Sequence, residues 1–92
     1  MGLFSKKKKI DYNAVFKDKY KNVNKLTQMA HNEIDFVIKE SLWQNVVDSY
    51  KELIDLIDQG ADSDKEYFKS LMDNANKELN VVKKINNEES ES

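Results

Sequence analysis

The sequence predicts a small all-α protein, an antiparallel three-helix bundle. Apolar residues recur at the three- and four-residue spacing of one helical face, in three successive stretches. The 92 residues contain no proline and only two glycines, so little interrupts long helices. Short connections between amphipathic helices favour antiparallel neighbours. If the first two stretches form one continuous helix, the alternative is a long helical hairpin that dimerises to cover its apolar stripe.

The first amphipathic stretch is predicted to begin after Asp11, whose carboxylate suits an N-cap. We expect this helix to run from about residue 12 to 39, or to break near 22–24. Its predicted apolar face comprises Tyr12, Val15, Phe16, Val23, Leu26, Ala30, Ile34 and Val37.

The second stretch is predicted to start at Ser41, because Ser41 with Gln44 matches a capping box. A helix that continues through Ser41 is the alternative. Gly60 suits the position just past the helix end, where a positive φ is needed. Trp43 is expected in the core, with an indole N–H that needs a partner. The predicted face comprises Trp43, Val46, Val47, Tyr50, Leu53, Ile54 and Ile57.

The third stretch is predicted to start at a second capping-box pattern, Ser63 with Glu66. Its apolar face is Phe68, Leu71, Met72, Ala75, Leu79 and Val82. The chain then divides into a basic flexible leader (1–10), a helical domain (11–86) and an acidic disordered tail (87–92).

Composition excludes several classes of site. The chain has no cysteine, which removes disulfides and thiolate chemistry and is compatible with a reducing cytoplasm. All fifteen basic residues are lysine, so nucleic-acid recognition by arginine is not expected. The abundance of lysine, asparagine, isoleucine and aspartate suggests AT-rich coding, which favours a bacterial or phage origin. Residues 1–21 hold seven lysines against two aspartates, a charge of +5, whereas the remainder carries −7.

An acidic turn follows Gly60, and its spacing faintly suggests a calcium loop through Asp62, Asp64 and Glu66 with Asp73. Such a loop needs glycine where this chain has Tyr67. We therefore expect these acids to stabilise a helix N-terminus, and no metal to be bound.

Two further groups of polar residues could suggest catalysis. His31 and Asp35 form a pair one turn apart, but no nucleophile or metal ligand lies nearby in the sequence. Asp48, Glu52 and Asp55 form a carboxylate row opposite an apolar stripe, which is typical of a solvent face. We expect neither enzyme activity nor a cofactor.

Some large apolar residues fall outside the predicted core faces. Met29 and Phe36 are seven residues apart, so on one helix they would share a face. Leu56 and Val81 are similar outliers on the other helices. Such residues often mark a second contact surface. The predicted partner contacts are therefore Met29, Phe36, Leu56 and Val81.

The segment MGLFSKKKK places two apolar residues directly before four lysines. Each lysine near an anionic leaflet contributes about 1 kcal/mol, so the segment could hold the protein weakly on a membrane surface. The candidate membrane contacts are Leu3, Phe4, Lys6, Lys7, Lys8 and Lys9.

The sequence thus favours a non-enzymatic, cytoplasmic helical protein that binds another protein or a second copy of itself. An adaptor, a secretion or toxin partner, an immunity protein or a phage accessory protein would all fit. The alternative is a peripheral membrane-surface protein attached by the basic leader.

Overall fold

The computed structural model describes residues 10–91, with side chains as far as residue 88. Over this range the chain forms three helices and no strand: α1 (Tyr12–Asn32), α2 (Phe36–Gln59) and α3 (Lys65–Glu91). The predicted all-α three-helix bundle is confirmed. The chain is interrupted between α1 and α2, which excludes the alternative of one long helical hairpin.

The first interruption lies at residues 33–35, so both predicted positions for it, 22–24 and the region just before Ser41, are wrong. Asp35 is the N-cap of α2, and its Oδ1 accepts the N–H groups of Val37 at 2.9 Å and Ile38 at 3.3 Å. An aspartate that satisfies two free amides fixes the start of a helix. Ser41 therefore lies within α2, as the alternative expectation had it.

The C-terminus of α1 is closed by a side chain from α2. Lys39 Nζ donates to the carbonyl oxygens of Ala30 at 2.8 Å, His31 at 3.2 Å and Glu33 at 3.1 Å. The last carbonyls of a helix have no partner within it and carry partial negative charge, which favours a cation. Lys39 therefore joins α1 to α2 across the turn.

The other helix termini match the sequence more closely. Asp11 caps α1 as predicted, since its Oδ1 accepts the N–H groups of residues 13 and 14. Gly60 ends α2 with φ 138°, and its N–H reaches the carbonyls of Leu56 and Ile57. The predicted cap of α3 is wrong by one residue. Asp64 rather than Ser63 accepts the N–H groups of residues 66 and 67.

Helix α3 is longer than the sequence predicts. The stretch expected as a disordered tail over 87–92 is helical as far as Glu91. Asn86 secures this end, because its Nδ2 donates to the Phe36 carbonyl at 2.9 Å and to Glu40 Oε1 at 2.8 Å. The C-terminal part of α3 thus lies beside the start of α2, as an antiparallel arrangement requires.

Helix α2 is the central element of the bundle. It packs against both α1 and α3, whereas no Cα atom of α1 comes within 8 Å of one in α3. The outer helices meet through aromatic rings near Gly60: Phe68 lies edge-on to Phe16 at 5.0 Å and to Tyr20 at 5.3 Å. The buried core comprises Phe16, Val23, Ala30, Trp43, Val46, Val47, Tyr50, Leu53, Leu56, Ala61, Phe68, Ala75, Leu79 and Val82.

The central position of α2 corrects one predicted partner contact. Leu56 falls outside the single apolar stripe assumed for α2, but it is only 8% exposed. A helix that packs on two sides buries a wider arc than a helix with one neighbour. Leu56 therefore belongs to the core and is not available to a partner.

Candidate interaction surface

The clearest surface feature is an apolar cluster where α1 turns into α2. Four large apolar side chains occupy five consecutive positions: Ile34 is 88% exposed, Phe36 37%, Val37 72% and Ile38 49%. Single exposed apolar residues are ordinary, but contiguous ones mark sites of interaction. We call these four residues the corner surface.

The capping of α2 explains why the corner surface is exposed. Ile34 directly precedes the N-cap Asp35, a position whose side chain often packs on the fourth helical residue. That residue is Lys39, and its ammonium group is committed to the carbonyls of α1. Ile34 therefore lacks the apolar neighbour that this position usually has.

The corner surface is flanked by acidic groups. Residues 33–40 hold three acids and one lysine, a net charge of −2. Glu33 Oε2 accepts the N–H of Asp35 at 3.1 Å, which keeps two carboxylates on one side of the turn. Val37 and Glu40 line a groove of about 430 Å³ together with Lys83 of α3. The surface thus combines an apolar centre with a predominantly acidic rim.

The structure rearranges the predicted partner contacts. Met29 and Phe36 do not share a helix face, because they lie on α1 and α2 with the interruption between them. Phe36 belongs to the corner surface. Met29, 53% exposed, lines a groove between α1 and α2 that no corner residue borders. Val81 is 56% exposed on α3.

The sequence does not predict the exposure of three of the four corner residues. The apolar period assigns Ile34 and Val37 to the buried face of a longer first helix, and Ile38 is not among the predicted contacts. The two assignments are wrong because the turn removes these residues from the face of α1. The polar run Asn32-Glu33 followed by Asp35 is the sequence signal that would have located the turn.

The acidic turn after Gly60 has a capping role. Asp64 caps α3, and Asp58 forms an ion pair of 2.7 Å with Lys65. The hydrogen bond that Lys65 Nζ donates to Asp58 Oδ1 raises the pKa of the exposed Lys65 ammonium. Over the described residues, no three His, Cys, Asp or Glu side chains are grouped closely enough to hold a metal ion.

The candidate catalytic residues do not converge. The His31 ring lies edge-on to Trp43, with centroids 4.9 Å apart, while Asp35 caps α2. In the carboxylate row, Glu52 pairs with Lys19 of α1 at 2.8 Å. Asp48 Oδ1 accepts the amide of Gln44 at 3.1 Å. These side chains make local structural contacts.

A groove of about 370 Å³ runs between α1 and α3, with α2 as its floor. Trp43 lies on this floor and is 2% exposed, and no described residue accepts its buried indole N–H. Tyr50 lines the same groove. Burial raises the pKa of the Tyr50 phenol, and a side-chain hydrogen bond with Thr27 partly opposes this shift.

The raised pKa of Tyr50 predicts a loss of stability in alkali. Above pH 10.0, the ordinary tyrosine pKa, Tyr50 ionises in the unfolded chain while it remains protonated in the fold. Its contribution is complete below pH 10.0 and is lost as the pH rises through the higher folded value. We expect the free energy of unfolding, measured in urea at successive pH values, to fall more steeply in the wild type than in Tyr50→Phe. Equal slopes would contradict this role.

No helix within residues 10–91 is long and apolar enough to cross a membrane. The predicted membrane contacts of the leader, Leu3, Phe4 and Lys6 to Lys9, lie outside the described residues. No protein-family model matches the chain, and no curated protein or solved structure shows detectable similarity to it.

Proposed function

We propose that this chain is a non-enzymatic protein that binds another protein chain through the corner surface. One observation carries the proposal: Ile34, Val37 and their neighbours are large apolar side chains held in water by the capping of α2. Burying apolar surface contributes about 25 cal/mol per Å², so a partner that covers these side chains gains most of its affinity there.

The charge around the corner surface favours a protein over a membrane as its partner. The net charge of −2 over residues 33–40 repels the anionic lipids that usually recruit peripheral proteins. It attracts a protein surface with an apolar centre and a basic rim. This net charge already includes the positive charge of Lys39, whose ammonium group is held by three carbonyls of the turn.

Replacing the two most exposed corner residues, as Ile34→Lys with Val37→Lys, is expected to abolish partner binding and to preserve the fold. Both side chains lie largely in water, at 88% and 72% exposure, so little packing is lost. The measurement is photo-cross-linking from position 38 in cells that naturally produce the protein. The wild type should give one adduct of discrete mass, and the double variant none.

The control is Val81→Lys, which places a lysine on an exposed apolar position of α3. This variant should retain the adduct. Met29 and Phe36 are both predicted contacts, but only Phe36 lies on the corner surface. In the double variant Met29→Lys with Phe36→Lys, a loss of the adduct would therefore be due to Phe36. An adduct that persists in Ile34→Lys with Val37→Lys would refute the proposal. Binding to anionic vesicles that requires residues 1–9, with no adduct from position 38, would instead support the membrane-surface alternative.

A further inference from the structure

The chain itself contains a segment with the chemistry that the corner surface requires. Leu3 and Phe4 are apolar and precede four consecutive lysines, Lys6 to Lys9. The corner surface presents four apolar side chains within a stretch of net charge −2. An apolar pair with a basic extension thus complements an apolar centre with an acidic rim.

We propose that residues 3–9 of one copy bind the corner surface of a second copy. This inference rests on the proposed function and identifies its partner as the same protein. Leu3 and Phe4 cover Ile34, Val37 and Ile38, and the lysines lie beside the acids of residues 33–40.

Chain length opposes the same contact within one molecule. Residue 10 precedes α1, and the corner surface follows its other end, so the 21 residues of α1 separate them by about 31 Å. An extended chain spans at most about 3.5 Å per residue, so Leu3, the far end of the segment, reaches about 24 Å from residue 10. Even a fully extended backbone therefore ends about 7 Å short of its own corner surface, and Lys6 to Lys9 stay still farther from the acids of residues 33–40.

The same geometry closes the assembly at two copies. When two bundles lie side by side with their α1 helices antiparallel, the start of each α1 faces the corner surface of the other. Two equivalent junctions then form about one two-fold axis, which gives a finite dimer and not an open chain.

Pairing of two corner surfaces with each other is disfavoured electrostatically. Each surface carries the carboxylates of Glu33, Asp35 and Glu40. The nearby cations are Lys39, which is hydrogen-bonded to carbonyls of α1, and Lys83, which lines the groove beside Val37. Bringing two such rims together opposes like charges. The lysine-rich segment removes that repulsion, which predicts that dimerisation weakens as salt is raised.

Sedimentation velocity on the full chain tests the inference with two complementary variants. The leader variant carries Leu3→Ser, Phe4→Ser, Lys7→Gln and Lys8→Gln. The corner variant carries Ile34→Lys and Val37→Lys. We expect a salt-sensitive wild-type dimer, and a dissociation constant raised about tenfold or more in each variant alone, a change of at least 1.4 kcal/mol. Mixing the two variants should give a heterodimer that is weaker than the wild-type dimer but tighter than either variant alone, because one of its two junctions keeps an intact leader and an intact corner surface.

Other outcomes overturn the inference in distinguishable ways. A wild type that stays monomeric at low salt refutes it, while an adduct from position 38 would still support the proposed function with a different partner. A dimer lost in the corner variant but kept in the leader variant shows that another segment occupies the corner surface. A mixture that associates no more tightly than either variant alone excludes a leader-to-corner junction. Loss of both the dimer and the adduct from position 38 in the wild type removes the proposed function as well.

Discussion

Truncating Leu53 to alanine is expected to destabilise the bundle by about 2–5 kcal/mol, the usual range for a fully buried leucine. Leu53 is 0% exposed and lies in the C-terminal half of α2, the helix against which both neighbours pack. A cavity there removes packing from the core cluster. Since small domains are stable by only about 5–15 kcal/mol, the variant should unfold at much lower urea concentration.

Urea denaturation followed by circular dichroism measures this change, and the fluorescence of Trp43, the single tryptophan, gives an independent signal. The control is Val81→Ala, an apolar truncation at a position 56% exposed, which should shift the midpoint little. Similar losses in both variants would contradict the position of α2 at the centre of the core.

Replacing Lys39 by methionine is expected to cost about 2–3 kcal/mol, because hydrogen bonds from a charged donor are worth more than neutral ones. Methionine keeps the apolar stem but leaves the carbonyls of Ala30, His31 and Glu33 without the ammonium donor. The C-terminal turn of α1 should then fray. Amide hydrogen exchange in that turn and urea denaturation measure the local and global effects.

Lys51→Met provides the control, since Lys51 is an exposed lysine of the same helix. It removes the same charge without uncapping α1, so its stability should stay close to the wild type. The capping role would be refuted if the amides in the last turn of α1 exchanged no faster in Lys39→Met than in Lys51→Met.

The fold follows from sequence features that act locally. The cap at Asp11 and the positive φ at Gly60 depend on a few neighbouring positions, and both predictions are confirmed. The helical spacing of apolar residues predicts the helical fold class correctly but continues the first helix past its end at Asn32. The cap of α3 was displaced by one residue because Ser63 and Asp64 are both good caps. Which of these two adjacent residues caps the helix depends on the backbone conformation around them.

The corner surface could not be predicted in the same way. Ile34 and Val37 continue the apolar period of α1, so the pattern alone assigned them to the core. Their exposure depends on Asp35 as a cap and on Lys39 reaching back across the turn. The burial of Leu56 likewise depends on α2 having two neighbours. These properties arise from tertiary packing, which a single periodicity does not encode.

The arrangement of the outer helices has a consequence for cooperativity. Because α1 and α3 meet through rings near Gly60 and otherwise pack on α2, the part of α1 nearest the corner surface is held by one helix alone. Local unfolding of that part breaks contacts with α2 alone, so it costs less than unfolding a segment that packs on two helices. A molecule bound to the corner surface would therefore also stabilise the end of α1 against local unfolding. Its binding should slow amide exchange throughout the second half of α1.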